Sequence, residues 1–154
     1  MGYFVLKGTG KVRWVTAAPA TLAAPTVAEF NAGTSLDSLL NEVSGLTATA
    51  QFIDAPVLAS RIDAKISGTQ QLTDTVLTFL DDNASSTVRT ALLTSGTTGY
   101  LLVAPHGITA TKRSRVWPAE TAGLNDIITV SNEPHKFSVA FGITSAPTDG
   151  TIAA

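Results

Sequence analysis

The chain has no cysteine, which excludes disulfides, thiolate nucleophiles and cysteine-ligated metals. Charge is scarce: 14% of the 154 residues, against the usual quarter or so. Aromatics make up only 6%, and there are two histidines. No apolar run approaches about 18 residues, so no segment reads as a transmembrane helix and no membrane insertion is expected. The first residues, MGYFVLKGTGKVRW, do not follow a signal-peptide pattern. The formal net charge of −2 argues against a dedicated nucleic-acid binder.

What is present is apolar and small. Hydrophobic residues make up 44% of the chain, and threonine and alanine are abundant. The length fits one domain, 1–154, with a real core. Such a composition suits a folded chain that hides much of its surface, in part against other copies of itself.

Catalytic candidates fail one by one. Gly8-Thr9-Gly10-Lys11 has the look of a phosphate loop, but Val5 and Val12 stand where the motif needs glycine and a hydroxyl. It reads as a hairpin turn. His106 and His135 lie in no zinc-ligand spacing and read as solvated. Asp81-Asp82 could pair over a metal or a proton, yet at a helix start they match the helix dipole. Asn83-Ala84-Ser85 reads as helix capping rather than as a glycosylation acceptor. No serine sits in a nucleophile elbow. The expectation is no enzyme, no cofactor and no metal.

The pattern is mostly β. Tyr3–Lys7 and Lys11–Thr16 flank the Gly8–Gly10 turn as a predicted hairpin. Residues 17–34, rich in Ala, Pro and Thr, read as an arm-like connector with a short helical look at Val27–Phe30. Leu36–Leu40 is either a helical turn or a strand start. Residues 17–25 and 41–58 have few periodic apolar contacts, and at least one is expected to order only on assembly. Arg61–Ile66 alternates, and Ser67-Gly68-Thr69 is predicted as a turn before a strand at Thr73–Leu80. Ala84–Leu93 is the one convincing helix. Tyr100–Ala104 is apolar on both faces, and residues 112–121 and 136–144 are strands. In the last of these, Phe137, Val139, Phe141 and Ile143 alternate with Ser138, Ala140, Gly142 and Thr144. The predicted architecture is mainly β: two packed antiparallel sheets, a sandwich or barrel, with one flanking α-helix.

KRSRVWPAE, at 112–120, concentrates basic charge beside a tryptophan. Pro118 cannot donate a ladder hydrogen bond, so this stretch is expected at an edge or bulge. Arg113, Arg115, Trp117 and Pro118 are therefore candidate subunit-interface residues, the arginines meeting acidic groups of a neighbour.

Four stretches in order, PTVAEFNAGTSL (25–36), GTTGYLLVAPHG (96–107), RVWPAET (115–121) and FSVAFGITSAP (137–147), resemble the major tail tube proteins of long-tailed bacteriophages, especially those of actinobacteria. The likeness runs from about Tyr3 to Pro147 and is weakest over 38–58. It implies hexameric rings that stack into a hollow tube around a tape-measure protein, beside other tail proteins. DNA would pass through without sequence-specific binding. It also implies manufacture in the host cytoplasm and residence in the virion, and no immunoglobulin-like domain is expected after Pro147. In such a tube Ser138, Ala140, Gly142 and Thr144 are candidate channel-lining residues. The strand with Arg61, Asp63 and Lys65 is the rival wall, its charge offset by acids such as Asp74. The alternative from another class is a monomeric immunoglobulin-like binding or decoration module.

Overall fold

The computed structural model describes residues 6–56 and 64–154. Over these the chain is mainly β, with ten strands and two short helices. In order they are β1 (Lys11–Val15), α1 (Val27–Ala32), β2 (Thr34–Ser35), β3 (Leu40–Ser44), β4 (Ala48–Ala55), β5 (Ala64–Leu72), β6 (Thr75–Leu80), α2 (Thr87–Leu92), β7 (Thr98–Ala104), β8 (Arg113–Ile127), β9 (Lys136–Ile143) and β10 (Thr148–Thr151). All strand pairings between these elements are antiparallel.

Eight strands form one sheet in the order β2-β1-β7-β8-β9-β6-β3, with β10 added beside β8. The sandwich arises because β8 belongs to both of its layers. One edge of β8 pairs with β7 as far as Thr98↔Glu120. Its other edge pairs first with β10, from Arg113 to Val116, and then with β9, from Ala119 to Ile127. The change of layer comes at a bulge between Thr121 and Gly123, and Gly123 has φ 150°, a backbone state that side chains disfavour. β2-β1-β7-β8-β10 is one layer; β3-β6-β9 and the C-terminal half of β8 are the other.

Alternation builds the core between them. Trp14 and Leu101 from the first layer meet Leu77, Phe79, Phe137, Val139 and Phe141 from the second. The Trp14 and Phe141 rings lie 5.3 Å apart and Phe79 stacks on Phe137 at 5.3 Å. β7 is apolar on both faces because it has two cores. Leu101 faces the sandwich, while Leu102 and Ala104 join Phe30, Val116 and Ile152 under α1. The helix is fixed there by a capping box, in which Glu29 N–H donates to Thr26 Oγ1 (3.2 Å) and Thr26 N–H to Glu29 Oε2 (2.7 Å).

Several expectations are corrected. There are two short helices, not one. The second covers 87–92 rather than 84–93, and its N-cap Ser86 makes no side-chain bond. Asp82 instead accepts from Ala84 N–H (2.8 Å) in the turn before it. Ser67-Gly68-Thr69 is no turn but lies inside β5, where the register slips between Ala50 and Phe52 of the facing strand. Leu36–Leu40 is a turn, Leu40 N–H donating to Leu36 (3.1 Å), and β3 starts at its end. The first strand of the predicted N-terminal hairpin lies largely outside the described residues; from Leu6 to Gly10 the chain turns, with Gly10 N–H donating to Leu6 (2.8 Å).

Candidate assembly and channel surfaces

The two layers differ in how they meet their surroundings. The first is covered. Its outer face carries α1 and the C-terminal residues around Ile152. Its β10 edge is stitched to the 17–34 connector by Thr151 N–H to Ala23 O (3.2 Å) and Ala153 N–H to Pro25 O (2.9 Å). Its other edge is the two-residue β2. The expected arm is thus held on its own subunit from Ala23 onward. Glu29 also accepts from Ala20 N–H (2.7 Å), and these backbone donors, Ala20 first and Thr26 second, hold its carboxyl below the usual value.

The second layer is open. Phe137, Val139 and Phe141 are buried, while Ser138, Ala140 and Gly142 alternate onto the outer face and no helix covers them. Thr144 lies one residue past β9, exposed, its N–H donating to Pro118 O (3.0 Å). The register places Val76, Thr78, Glu42, Ser44, Asn125, Ile127 and Lys136 on the same face. Glu120, opposite Gly142, joins them, so among the described residues of these strands the face carries two acids, Glu42 and Glu120, and one base, Lys136. Both of its edges are free among the described residues: β3 pairs only with β6, and beyond Thr121 β8 pairs only with β9.

The basic stretch 112–120 lands differently from its expectation. RVWPAE is not an edge strand; it runs through the middle of β8 between β7 and β10 or β9. Pro118 sits where β8 exchanges β10 for β9, in the gap between Val116 and Ala119, so its missing N–H breaks no ladder. Trp117 is buried in the core and cannot stack on an external base. Arg115 is engaged within the chain, donating from Nη2 to Asp149 Oδ2 (2.6 Å) and from Nε to Oδ1 and lying 5.7 Å from the Trp117 ring centre. That carboxylate hydrogen bond raises the Arg115 pKa, and the same bond lowers that of Asp149. Arg113 is exposed and reaches Asp149 only through longer-range attraction. The four residues therefore do not form one surface.

At one end of the open layer α2 is tied down by charge. Arg89 donates to both oxygens of Asp126 (2.7 and 3.1 Å), lies 3.9 Å from Asp81 and sits over the Phe137 ring. Asp81 in turn contacts His135 Nδ1 at 2.9 Å. The two acids thus serve as partners for Arg89 and His135, and no group of acids and histidines that could hold a metal occurs among the described residues. No described helix is long and apolar enough to cross a membrane. Of the rival wall, Arg61 and Asp63 lie outside the described residues. Lys65 is on β5, paired with Asp54 (3.2 Å) and away from the open layer.

Among the described residues, then, the sandwich has one jacketed layer, one bare layer and two bare strand edges, the features of a structural module suited to assembly. The model of the phage tail tube protein family matches residues 4–154, and the chain belongs to that family: it is a structural component of the phage tail, part of the virion. Solved structures share the fold at low identity. The sheath/tube terminator of an extracellular contractile injection system, PVC, is similar with a TM-score of 0.66 at 12% identity, over 96% of this chain and 97% of that one. The tube-terminating cap of the anti-feeding prophage gives 0.63 at 14%, over 98% and 93%. The tail of an empty GTA particle, solved with C6 symmetry, gives 0.51 at 10%, over 91% and 92%. A search of curated protein sequences gives no match.

Proposed function

We propose that six copies join edge to edge into a ring whose inner wall is the open layer, and that rings stack into a tube that forms around a tape-measure protein and conducts DNA. The observation that carries this reading is the pair of free edges on the one layer whose outer face is bare. Its four strands alternate in direction. With an even number, the β8 edge of one copy meets the β3 edge of the next as an antiparallel neighbour all around the ring. Closure pairs both free edges of the open layer, which open sheets otherwise leave available for aggregation. Six four-stranded layers make a barrel of about 24 strands, which at about 4.8 Å per strand and about 40° of tilt is about 48 Å across between backbones. The sixfold count rests on the family and on the C6 symmetry of the similar GTA tail.

On this reading Ser138, Ala140, Gly142 and Thr144 line the bore. Their small neutral side chains suit a conduit, because each fixed cation would release counterions from DNA and retard it. The Arg113 end of β8 is assigned to a contact with acidic groups of a neighbour; Arg113 serves there, since Arg115 is held by Asp149. The monomeric binding module leaves the two edges unexplained.

Microscopy of the purified protein tests the assembly, with hollow tubes expected. Ser138→Lys then tests the wall: tubes should form as before but retain DNA in a salt-dependent way. Normal tubes with no added DNA retention would remove Ser138 from the bore, and failed assembly would place it in an interface.

A further inference from the structure

The space between the two layers is filled on one flank of the sandwich and open on the other. On the flank of the free β8 edge α2 fills it. Val88 and Leu92 join the core there, and the helix is anchored along β8 by Arg89 to Asp126 and by Thr121 Oγ1, which donates to Thr94 O (2.7 Å). On the flank of the free β3 edge none of the described helices lies between the layers. A cleft of about 490 Å³ opens there instead, lined by Leu6, Val12, Leu40, Val43, Leu46 and Val103. That is roughly three times the ~150 Å³ of an apolar cavity able to take up benzene. The charges at its rim, Lys7 and Lys11 against Asp37 and Glu42, balance. α2 turns an uncharged face away from its own core: Thr87, Thr90 and Thr94 are exposed, and Leu93 is 58% exposed. Across the molecule, at the cleft, Leu6 is 59% and Val43 44% exposed.

We infer that Leu93 and the threonines beside it on one copy enter this cleft on the next copy around the ring. The inference rests on the edge-to-edge reading above and adds to it what fills the space between the layers at each junction. The occupant is a second copy because of where the two features lie. α2 stands on the core side of the β8 edge, and the cleft opens on the core side of the β3 edge. Wherever those two edges pair, the helix comes over the mouth of the cleft. The contact is heterologous, a projection on one flank and its socket on the other, as a ring requires. It also gives the junction a direction. Backbone hydrogen bonds alone do not forbid two β3 edges, or two β8 edges, from pairing about a twofold axis. The first pairing leaves both clefts empty, and the second sets helix against helix with no cleft to enter. α2 thus selects the head-to-tail order and works against closed dimers.

The test uses the full-length protein with Leu93→Asp and with Leu6→Asp, each alone and the two mixed, read by sedimentation and electron microscopy. Neither residue belongs to a buried core cluster or to a strand edge, so thermal unfolding should change little and the edge hydrogen bonds stay available. Each variant alone is expected to remain monomeric, because every junction lacks either the projection or the socket. Mixed at high concentration, the two are expected to form dimers and nothing larger. The intact α2 of Leu6→Asp then meets the intact cleft of Leu93→Asp, and the two outer flanks have nothing to join. Leu93→Met should assemble as the unaltered protein does. Thr90→Asp, on the same exposed face, repeats the test should an aspartate at the helix end cost the fold. Rings or tubes from either Asp variant, or a mixture that stays monomeric, overturn the inference; tubes from Leu93→Asp leave the cleft to residues 1–5, which precede Leu6. If the unaltered protein forms neither rings nor tubes, the edge-to-edge reading itself falls, and this contact with it.

Discussion

Replacing Gly150 by alanine should detach the connector from the covered layer. A Cβ at this position would stand 1.7 Å from the carbonyl oxygen of Ala23 and 2.6 Å from its carbon, and backbone cannot rotate away as a side chain can. One of the two segments must move by more than an ångström. The movement breaks Thr151 N–H to Ala23 O and strains Ala153 N–H to Pro25 O, each contributing about 1 kcal/mol. It also lifts Ile152, 2% exposed, partly out of its contacts with Phe30 and Val116, at a cost of about 1 kcal/mol. The sum is about 3 kcal/mol, which for a domain of this size lowers the melting temperature by about 6–12 °C. Gly142→Ala is the matched control. Nothing lies within 4 Å of a Cβ there, so stability should hold or rise by about 0.5 kcal/mol as the strand loses a flexible residue. Urea unfolding of the three proteins measures both. A Gly150→Ala midpoint within error of Gly142→Ala would refute the claim that the connector is pinned to β10.

Three further outcomes are expected. Phe141→Ala removes the ring that meets Trp14 and should cost about 3–5 kcal/mol in the same urea assay. Acid should destabilise the subunit below about pH 4. Burial opposes ionisation of Asp37, but the Lys11 hydrogen bond and the Arg13 charge outweigh it and hold its pKa below 3.8. A depressed carboxyl stabilises the fold above its unfolded pKa and loses that contribution as pH falls through the folded value, so Asp37→Asn should flatten the acid limb of a stability–pH curve while costing about 1–3 kcal/mol at pH 7. Amide exchange should be fast throughout β4 and β5 in the free subunit and slow in β7, which lies between two cores; equal protection would contradict the isolation of the hairpin.

How much the sequence disclosed depended on whether a residue's neighbours enforce a pattern. β9 was legible residue by residue because one face is core and the other bare, and the doubly apolar Tyr100–Ala104 announced its central place. Pro118 pointed to a gap in hydrogen bonding, correctly, but a gap within a central strand looks the same as an edge until partner exchange is seen. The fold of β8 between layers hinges on Gly123, within a mixed run, TAGLND, that carries no clear periodicity. Among the described strands β4 and β5 pair only with each other and stay largely exposed, so no burial pattern marks them, and Gly68 inside a bulge passes for a turn. The outward position of Ser138, Ala140 and Gly142 was readable for the same reason as β9. The stretch 113–118 was not, because Arg115 finds Asp149 across 34 positions of chain.

β8 also has a mechanical meaning. In the proposed ring the hydrogen bonds of the open layer run around the circumference, across the strands, so a pressurised bore would load them as hoops load a barrel. The jacketed layer cannot slip against that hoop, because both are made from the same fifteen-residue strand. Tension in the wall passes into the jacket through covalent backbone at the Thr121–Gly123 bulge, the one flexure in the path. A tail built this way bends by opening joints between rings while each ring keeps its bore round.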